Sequence, residues 1–140
     1  MSDNKRAGTL YEQMFVVEAL SRGLDISVPV GDYSQYDAII DNGSSLVRCQ
    51  VKGTASERKD RSGAFSISCG MGNKTSQKSR YKDTAYDLLV ALVLKGGDRF
   101  WYIIPRSAVG SNLTLKLFPN PTSQGKWEKY RHGWDLICKM

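Results

Sequence analysis

Apolar and polar positions along the chain divide it into one opening helix, several short strands and polar connections. The segment from Arg6 to Arg22 reads as a helix. Tyr36 to Asp41 and Ser45 to Lys52 are β-branched and apolar enough for strands, and Asp41-Asn42-Gly43-Ser44 between them carries the Asn-Gly hairpin signal. Ala64 to Cys69 alternates as a further strand, Phe65 and Ile67 on one side and Ser66 and Ser68 on the other, so that its polar side is exposed on a β-ribbon. Gly70-Met71-Gly72 marks a turn, and Asn73 to Tyr86 is polar with a short helix expected near its end. Leu88 to Leu94 is a continuous apolar run suited to a central buried strand; Lys95-Gly96-Gly97-Asp98 turns it into Arg99 to Ile104, which Pro105 stops. Arg106 to Val109 suits one helical turn, Leu113 to Phe118 a strand, and Trp127 to Ile137 a terminal helix. The order α-β-β-β-α-β-β-β-α predicts a mixed α/β fold, with no internal repeat or low-complexity tract.

The hairpin pattern also predicts which side chains meet. With a two-residue turn at Asn42-Gly43, Asp41 faces Ser44 and Asp37 falls opposite Arg48. Asp37, Arg48, Gln50 and Lys52 then share one face, and Val47, Cys49 and Val51 take the core face. Opposed Cα atoms lie roughly 5 Å apart and diagonal neighbours about 7–8 Å, so the Asp37 carboxylate and the Gln50 oxygen can reach one cation. A third oxygen donor is expected from the opening helix. Glu18 has Ser21 and Arg22 at i+3 and i+4, a pairing for a solvated face, whereas Glu12 has Phe15, Val16 and Ala19 at i+3, i+4 and i+7 and points towards apolar surroundings. A carboxylate there costs free energy unless it is paired, protonated or bound to a cation.

These residue types fit one chemistry. Mg²⁺ prefers hard oxygen ligands and takes one or two carboxylates beside substrate phosphate. Glu12 and Asp37 supply the carboxylates, Gln50 a neutral amide oxygen and Val51 a backbone carbonyl, while Lys52 on the same face can position a water or neutralise an oxyanion. The same residues on a solvated hairpin would carry no chemistry, and Gln50-Val51-Lys52 alone is a weak motif.

Gly8-Thr9-Leu10-Tyr11-Glu12, the stretch Pro29-Val30-Gly31-Asp32 leading to Tyr36-Asp37, Cys49-Gln50-Val51-Lys52, Trp101-Tyr102-Ile103-Ile104-Pro105 and Trp134-Asp135 together resemble the PD-(D/E)XK nuclease superfamily, and within it the group I intron-encoded homing endonucleases. The resemblance covers most of the chain. It implies a restriction-endonuclease-like fold, a central mixed β-sheet flanked by helices, in one domain over residues 1–140. It places Asp37, Gln50 and Lys52 at the D…(D/E)XK positions and Glu12 at the helical acidic position, which makes these four the expected catalytic residues. Gln50 stands where Asp or Glu is usual, as this homing branch allows, and Tyr36 stands where the motif's name has proline. A homo-oligomer, dimer or tetramer, is implied as well.

Composition adds bounds. The 140 residues, 41% hydrophobic and 24% charged, suit a single moderate core. The net charge of +6 is concentrated: residues 52–82 hold eight bases against two acids, which accounts for all of it. Arg58, Lys59, Arg61, Lys74, Lys78, Arg80 and Lys82 in that stretch are the expected contacts to double-stranded DNA, and Tyr81 is a candidate for stacking. Three distant cysteines, Cys49, Cys69 and Cys138, indicate neither a disulfide framework nor a zinc ribbon, so a reduced cytoplasmic setting is expected. No membrane span and no Gly-rich nucleotide loop is present, and His132 as the only histidine disfavours histidine-centred nucleases and a Ser-His-Asp hydrolase. The expected function is a Mg²⁺-dependent, site-specific DNA endonuclease of the homing type. The alternatives are a Holliday-junction resolvase of the same superfamily and a DNA-binding module without catalysis.

Overall fold

A five-stranded mixed sheet divides the molecule into two apolar halves, and the opening helix closes one of them. The computed structural model describes residues 3–70, 85–122 and 125–140. Helix α1 spans Asp3–Ser21, followed by β1 (Asp25–Ser27), β2 (Ala38–Asp41), β3 (Leu46–Thr54), β4 (Phe65–Ser68), β5 (Leu88–Lys95), β6 (Asp98–Pro105), α2 (Arg106–Val109), β7 (Thr114–Leu117), a 3₁₀ turn (Glu128–Tyr130) and α3 (Asp135–Lys139). The sheet order is β1-β2-β3-β5-β6, with β3 and β5 parallel and the other pairs antiparallel, while β4 and β7 form a separate two-stranded ribbon.

Side-chain alternation explains the two halves. Val47, Cys49 and Val51 of β3, with Val90 and Leu92 of β5 and Trp101 and Ile103 of β6, pack against Phe15 and Ala19 of α1 and Ile137 of α3. Leu89, Ala91 and Val93, with Tyr102 and Ile104, face the other way onto Phe65, Ile67, Leu115 and Leu117 of the ribbon. β5 is therefore buried on both sides, which is why it reads as an uninterrupted apolar run. Three rings anchor α1: Phe15 stacks on Trp134 at 6.1 Å, Trp134 meets Trp101 edge-on at 5.6 Å, and the Arg22 guanidinium covers Trp134 at 4.2 Å. Burying Phe15 alone contributes roughly 1.5–3 kcal/mol.

Three sequence expectations are corrected. The β2–β3 pairs are Asp41↔Leu46 and Ile39↔Arg48, so the connection has four residues, 42–45, and Arg48 lies opposite Ile39 instead of Asp37. The Asn42 side chain is the cause: its Oδ1 accepts the N–H groups of Ser44 and Ser45, both at 2.9 Å, and its Nδ2 donates to the Ile137 carbonyl at 2.7 Å, which ties the turn to the C-terminus. The shift is by two residues, an even number, so the division of β3 into core and outer positions survives. Second, the expected helix from Trp127 to Ile137 is broken into the 3₁₀ turn and α3 by His132, which sits at φ 55°, with Gly133 beside it. Third, β1 adds an edge strand that the pattern did not mark. The helix expected near the end of 73–86 lies almost wholly outside the described residues.

Candidate active site

The sheet opens where β2 leaves β3. The ladder ends at Ala38↔Cys49, and just before it the Asp37 N–H donates to the Cys49 carbonyl at 2.8 Å. Asp37 Oδ2 then accepts the Val51 N–H at 2.8 Å, so a carboxylate stands where the next strand residue would have offered a carbonyl. That bond fixes the Asp37 side chain in the fork between the strands. Because the N–H and C=O of a strand residue point to the same side, the Val51 carbonyl opens towards the same fork.

Helix α1 brings the second carboxylate. An open cleft of about 560 Å³ is lined by Glu12, Asp37, Gln50, Val51 and Lys52, with Tyr11 and Gly53 beside them. Glu12, Asp37 and Val51 also border a smaller cavity of about 260 Å³ beneath the loop of Val28 to Ser34, so they form the wall between two hollows. Burial raises the Glu12 carboxyl to about 7; the Asp37 charge and a hydrogen bond shared with Asp37 push the same way, and the Lys52 ammonium opposes them. Two carboxylates this close hold a proton between them or require a cation.

Gly53 is what lets the helix come near enough. A Cβ at position 53 would meet the Tyr11 ring at 2.4 Å, so the ring lies flat against bare backbone one residue past Lys52, and Glu12 is the next residue of α1. Sequence reading missed Tyr11 and Gly53. Their only signal was a glycine near the end of β3.

The remaining expected residues separate clearly. Gln50 is buried, at 6% exposure, and Lys52 is partly exposed. Arg48 does not join them: it is drawn to Asp87, whose Oδ2 accepts the Arg48 N–H at 2.8 Å and whose Oδ1 accepts Arg48 Nη2 at 3.0 Å. Burial pushes the Asp87 carboxyl up, but its hydrogen bonds and ion pair with Arg48 outweigh that and hold it low. This pair clips the start of β5 to β3 and sets their parallel register. Cys49 is no nucleophile, since burial first, and then the Asp87 and Asp37 charges, push its thiol up to about 12. Glu18 behaves as the helix pattern predicts, accepting from Arg22 Nε at 2.9 Å and from the Ser21 hydroxyl. Arg58, Lys59 and Arg61 are exposed on the loop that follows β3, whose Ala55 and Ser56 edge the cleft. Lys74, Lys78, Arg80, Lys82 and Tyr81 lie outside the described residues.

Donor chemistry at the fork suits a hard divalent cation: two carboxylates, an amide oxygen and a backbone carbonyl. No group of three His, Cys, Asp or Glu able to hold a metal occurs among the described residues, so such an ion would have to use the neutral oxygens as well.

A sequence profile of the PD-(D/E)XK endonuclease family matches residues 2–137. Among solved structures, the chain is similar to a bacterial homing endonuclease, I-Ssp6803I, with a TM-score of 0.83 at 22% identity, covering 99% of this chain and 95% of that one. It is also similar to MepB, with a TM-score of 0.51 at 12% identity over 86% of this chain and 95% of that one. No curated protein sequence matches it. At these identities the two structures speak for the fold.

Proposed function

Because this chain belongs to the PD-(D/E)XK endonuclease family, whose members hydrolyse DNA and generally use divalent metal ions, we propose that it is a Mg²⁺-dependent, site-specific DNA endonuclease of the homing type. The observation that carries the reading is the convergence of Glu12, Asp37, Gln50, Val51 and Lys52 on one cleft, where burial and the neighbouring Asp37 charge raise the Glu12 carboxyl. The structural likeness to a homing endonuclease and the glutamine at position 50 favour that branch.

Glu12, Asp37, the Gln50 amide oxygen and the Val51 carbonyl are the proposed Mg²⁺ ligands. Bound there, Mg²⁺ supplies Lewis acidity towards a water and a phosphate oxygen. The chain's own groups do the rest. Lys52 orients the attacking water and offsets the charge that builds on the phosphate oxygens. Asp37 is held in place by the Val51 N–H, so its carboxylate needs little reordering. Arg58, Lys59 and Arg61, with Lys74, Lys78, Arg80 and Lys82, attract the duplex backbone. One such site cuts one strand at a time, so severing a duplex calls for two copies, in a dimer or tetramer.

The test is incubation with Mg²⁺ and either long duplexes or a synthetic four-way junction, beside Lys52→Ala and Asp37→Ala. Cutting at a single duplex site that both variants lose is the expected result. Preferential junction cutting would assign a resolvase instead, and binding without cutting would assign a non-catalytic DNA-binding module. Equal cutting by all three proteins would remove this site from the chemistry.

A further inference from the structure

Six residues beyond Lys52, an exposed arginine is held unusually still. Arg58 Nε donates to Asp60 Oδ2 at 2.9 Å and its Nη1 donates to Ser66 Oγ at 3.1 Å. Its own backbone N–H is fixed to the Ala64 carbonyl at 2.8 Å, and Glu57 forms an isolated bridge with Phe65, so residues 57–58 lie alongside β4. Asp60 is locked in turn: its Oδ1 accepts both the N–H of Ser62 at 3.1 Å and the Ser62 hydroxyl at 2.5 Å. Hydrogen bonds from Ser62 and Arg58 hold the Asp60 carboxyl well below the usual carboxylate range.

Stability does not explain this arrangement. An exposed ion pair contributes about 0–1 kcal/mol, while an arginine side chain carries about 2 kcal/mol of rotamer entropy. Arg58 and Asp60 are both well exposed, at 39% and 46% of their side-chain surface. Immobilising a guanidinium in water is useful when a ligand must find it already oriented.

Its surroundings indicate the ligand. Phe65, Ile67, Leu115 and Leu117 are the buried positions of β4 and β7, so Ser66, Ser68, Thr114 and Lys116 alternate onto the outer side, with Ser66 paired to Lys116 and Ser68 to Thr114. Arg58 lies opposite Ala64 in that pairing and reaches across to Ser66 Oγ, which brings its guanidinium beside the Ser66–Lys116 pair. A narrow ribbon with a polar, basic outer surface fits the major groove of B-DNA, about 12 Å wide, and the commonest base-specific contact there is an arginine fork on guanine O6 and N7. Two of the five N–H donors of Arg58 are spent on Asp60 and Ser66, and the others are uncommitted among the described residues. Lys59 and Arg61, exposed on the same loop, make no such side-chain bonds among the described residues and suit the phosphates.

We propose that Arg58, oriented by Asp60 and Ser66, reads a guanine in the major groove and is a sequence-specificity determinant of this protein, with Asp60 as its positioning residue. The inference rests on the duplex-DNA substrate proposed above. Its position follows from chain length: six residues span at most about 20 Å between Cα atoms and the two long side chains add to that, so the base pair read lies within about one helical turn of the cut.

The experiment is a binding selection from a randomised duplex library with the full chain in EDTA, so that nothing is cut, followed by cleavage of the same library with Mg²⁺. Wild type is expected to enrich guanine at a fixed position. Arg58→Lys, which keeps the charge, should relax that position alone by about 5- to 150-fold, corresponding to about 1–3 kcal/mol for a bidentate base contact. Asp60→Asn should relax the same position, whereas Lys59→Ala should lower affinity evenly and leave the preference intact. Thermal melts of each variant separate a lost preference from a lost fold, and Arg58→Lys leaves Asp60 and its turn in place. An unchanged preference in Arg58→Lys, a loss spread evenly over all positions, or no guanine enrichment by wild type would each overturn the proposal. Arg58-dependent preference without cleavage would uphold it and sink the nuclease reading; cleavage without an Arg58-dependent preference would do the reverse.

Discussion

Lys52 and Glu12 are the two side chains whose replacement gives the sharpest contrast. Lys52→Ala is expected to lower the cleavage rate by at least about 100-fold, the loss typical of one preorganised electrostatic contact, with duplex binding retained in a gel-shift assay. Glu12 leaves a trace in stability as well. In metal-free protein its carboxyl keeps a proton up to about pH 7, against an ordinary value of 4.5. The folded state therefore binds more protons than the unfolded chain between those values, and stability must fall as pH rises through that window and level off above it. Denaturant titrations in EDTA across the window should show this decline, and Glu12→Gln should flatten it. A slope of the opposite sign would mean the two carboxylates do not share a proton. Much of this was legible in the sequence: a period of two put Gln50 and Lys52 on one side of β3, and the neighbours of Glu12 turned it away from water. Arg48 was misplaced because its partner, Asp87, stands 39 residues away and no local pattern reports it.

Between residues and the whole molecule, the spacing of α1 over β3 decides whether the carboxylates meet. Gly53→Ala is expected to push Tyr11 aside and move Glu12 from the fork, lowering cleavage while the circular dichroism spectrum stays native. The same substitution should cost less in a Tyr11→Ala background, with a coupling of about 0.5–3 kcal/mol in activation free energy from the four-protein cycle. Additive losses would show that the ring is not the obstacle. Strands β3, β5 and β6 were readable because burial imposes continuous or alternating apolar runs. The hairpin register was not, because Asn42 bonds carbonyls of the C-terminal segment about 95 residues away, a tertiary preference that overrides the local Asn-Gly signal. The terminal helix failed for a similar reason: the His132 N–H donates to the Trp101 carbonyl, so a sheet edge captures the backbone that helix would have used.

In the sequence, the net positive charge of the whole chain falls within residues 52–82. If Lys59, Arg61, Lys74, Lys78, Arg80 and Lys82 contact phosphates while Arg58 reads a base, the logarithm of the duplex association constant should fall with the logarithm of salt concentration at a slope approaching about −5. A slope near zero would remove the backbone-tracking role of the 52–82 stretch. Double-strand cutting should steepen with protein concentration while nicking does not, because each chain carries one proposed site. No helix among the described residues is long and apolar enough to cross a membrane. The mixed fold was foreseeable from element order, whereas the pairing of β4 with β7 was not, since nearly fifty residues separate them and only the shared outer-polar alternation links them.

The Val51 amide has a use beyond architecture. Its proton is held by the Asp37 carboxylate and not by a carbonyl of the next strand. Its exchange with deuterium therefore depends on one side chain's position. Asp37→Ala should release that single proton to solvent early, while Val90, on the twice-covered strand alongside, stays protected. A spectroscopist can thus follow the state of the fork in resting protein, with neither DNA nor turnover, by watching one peak.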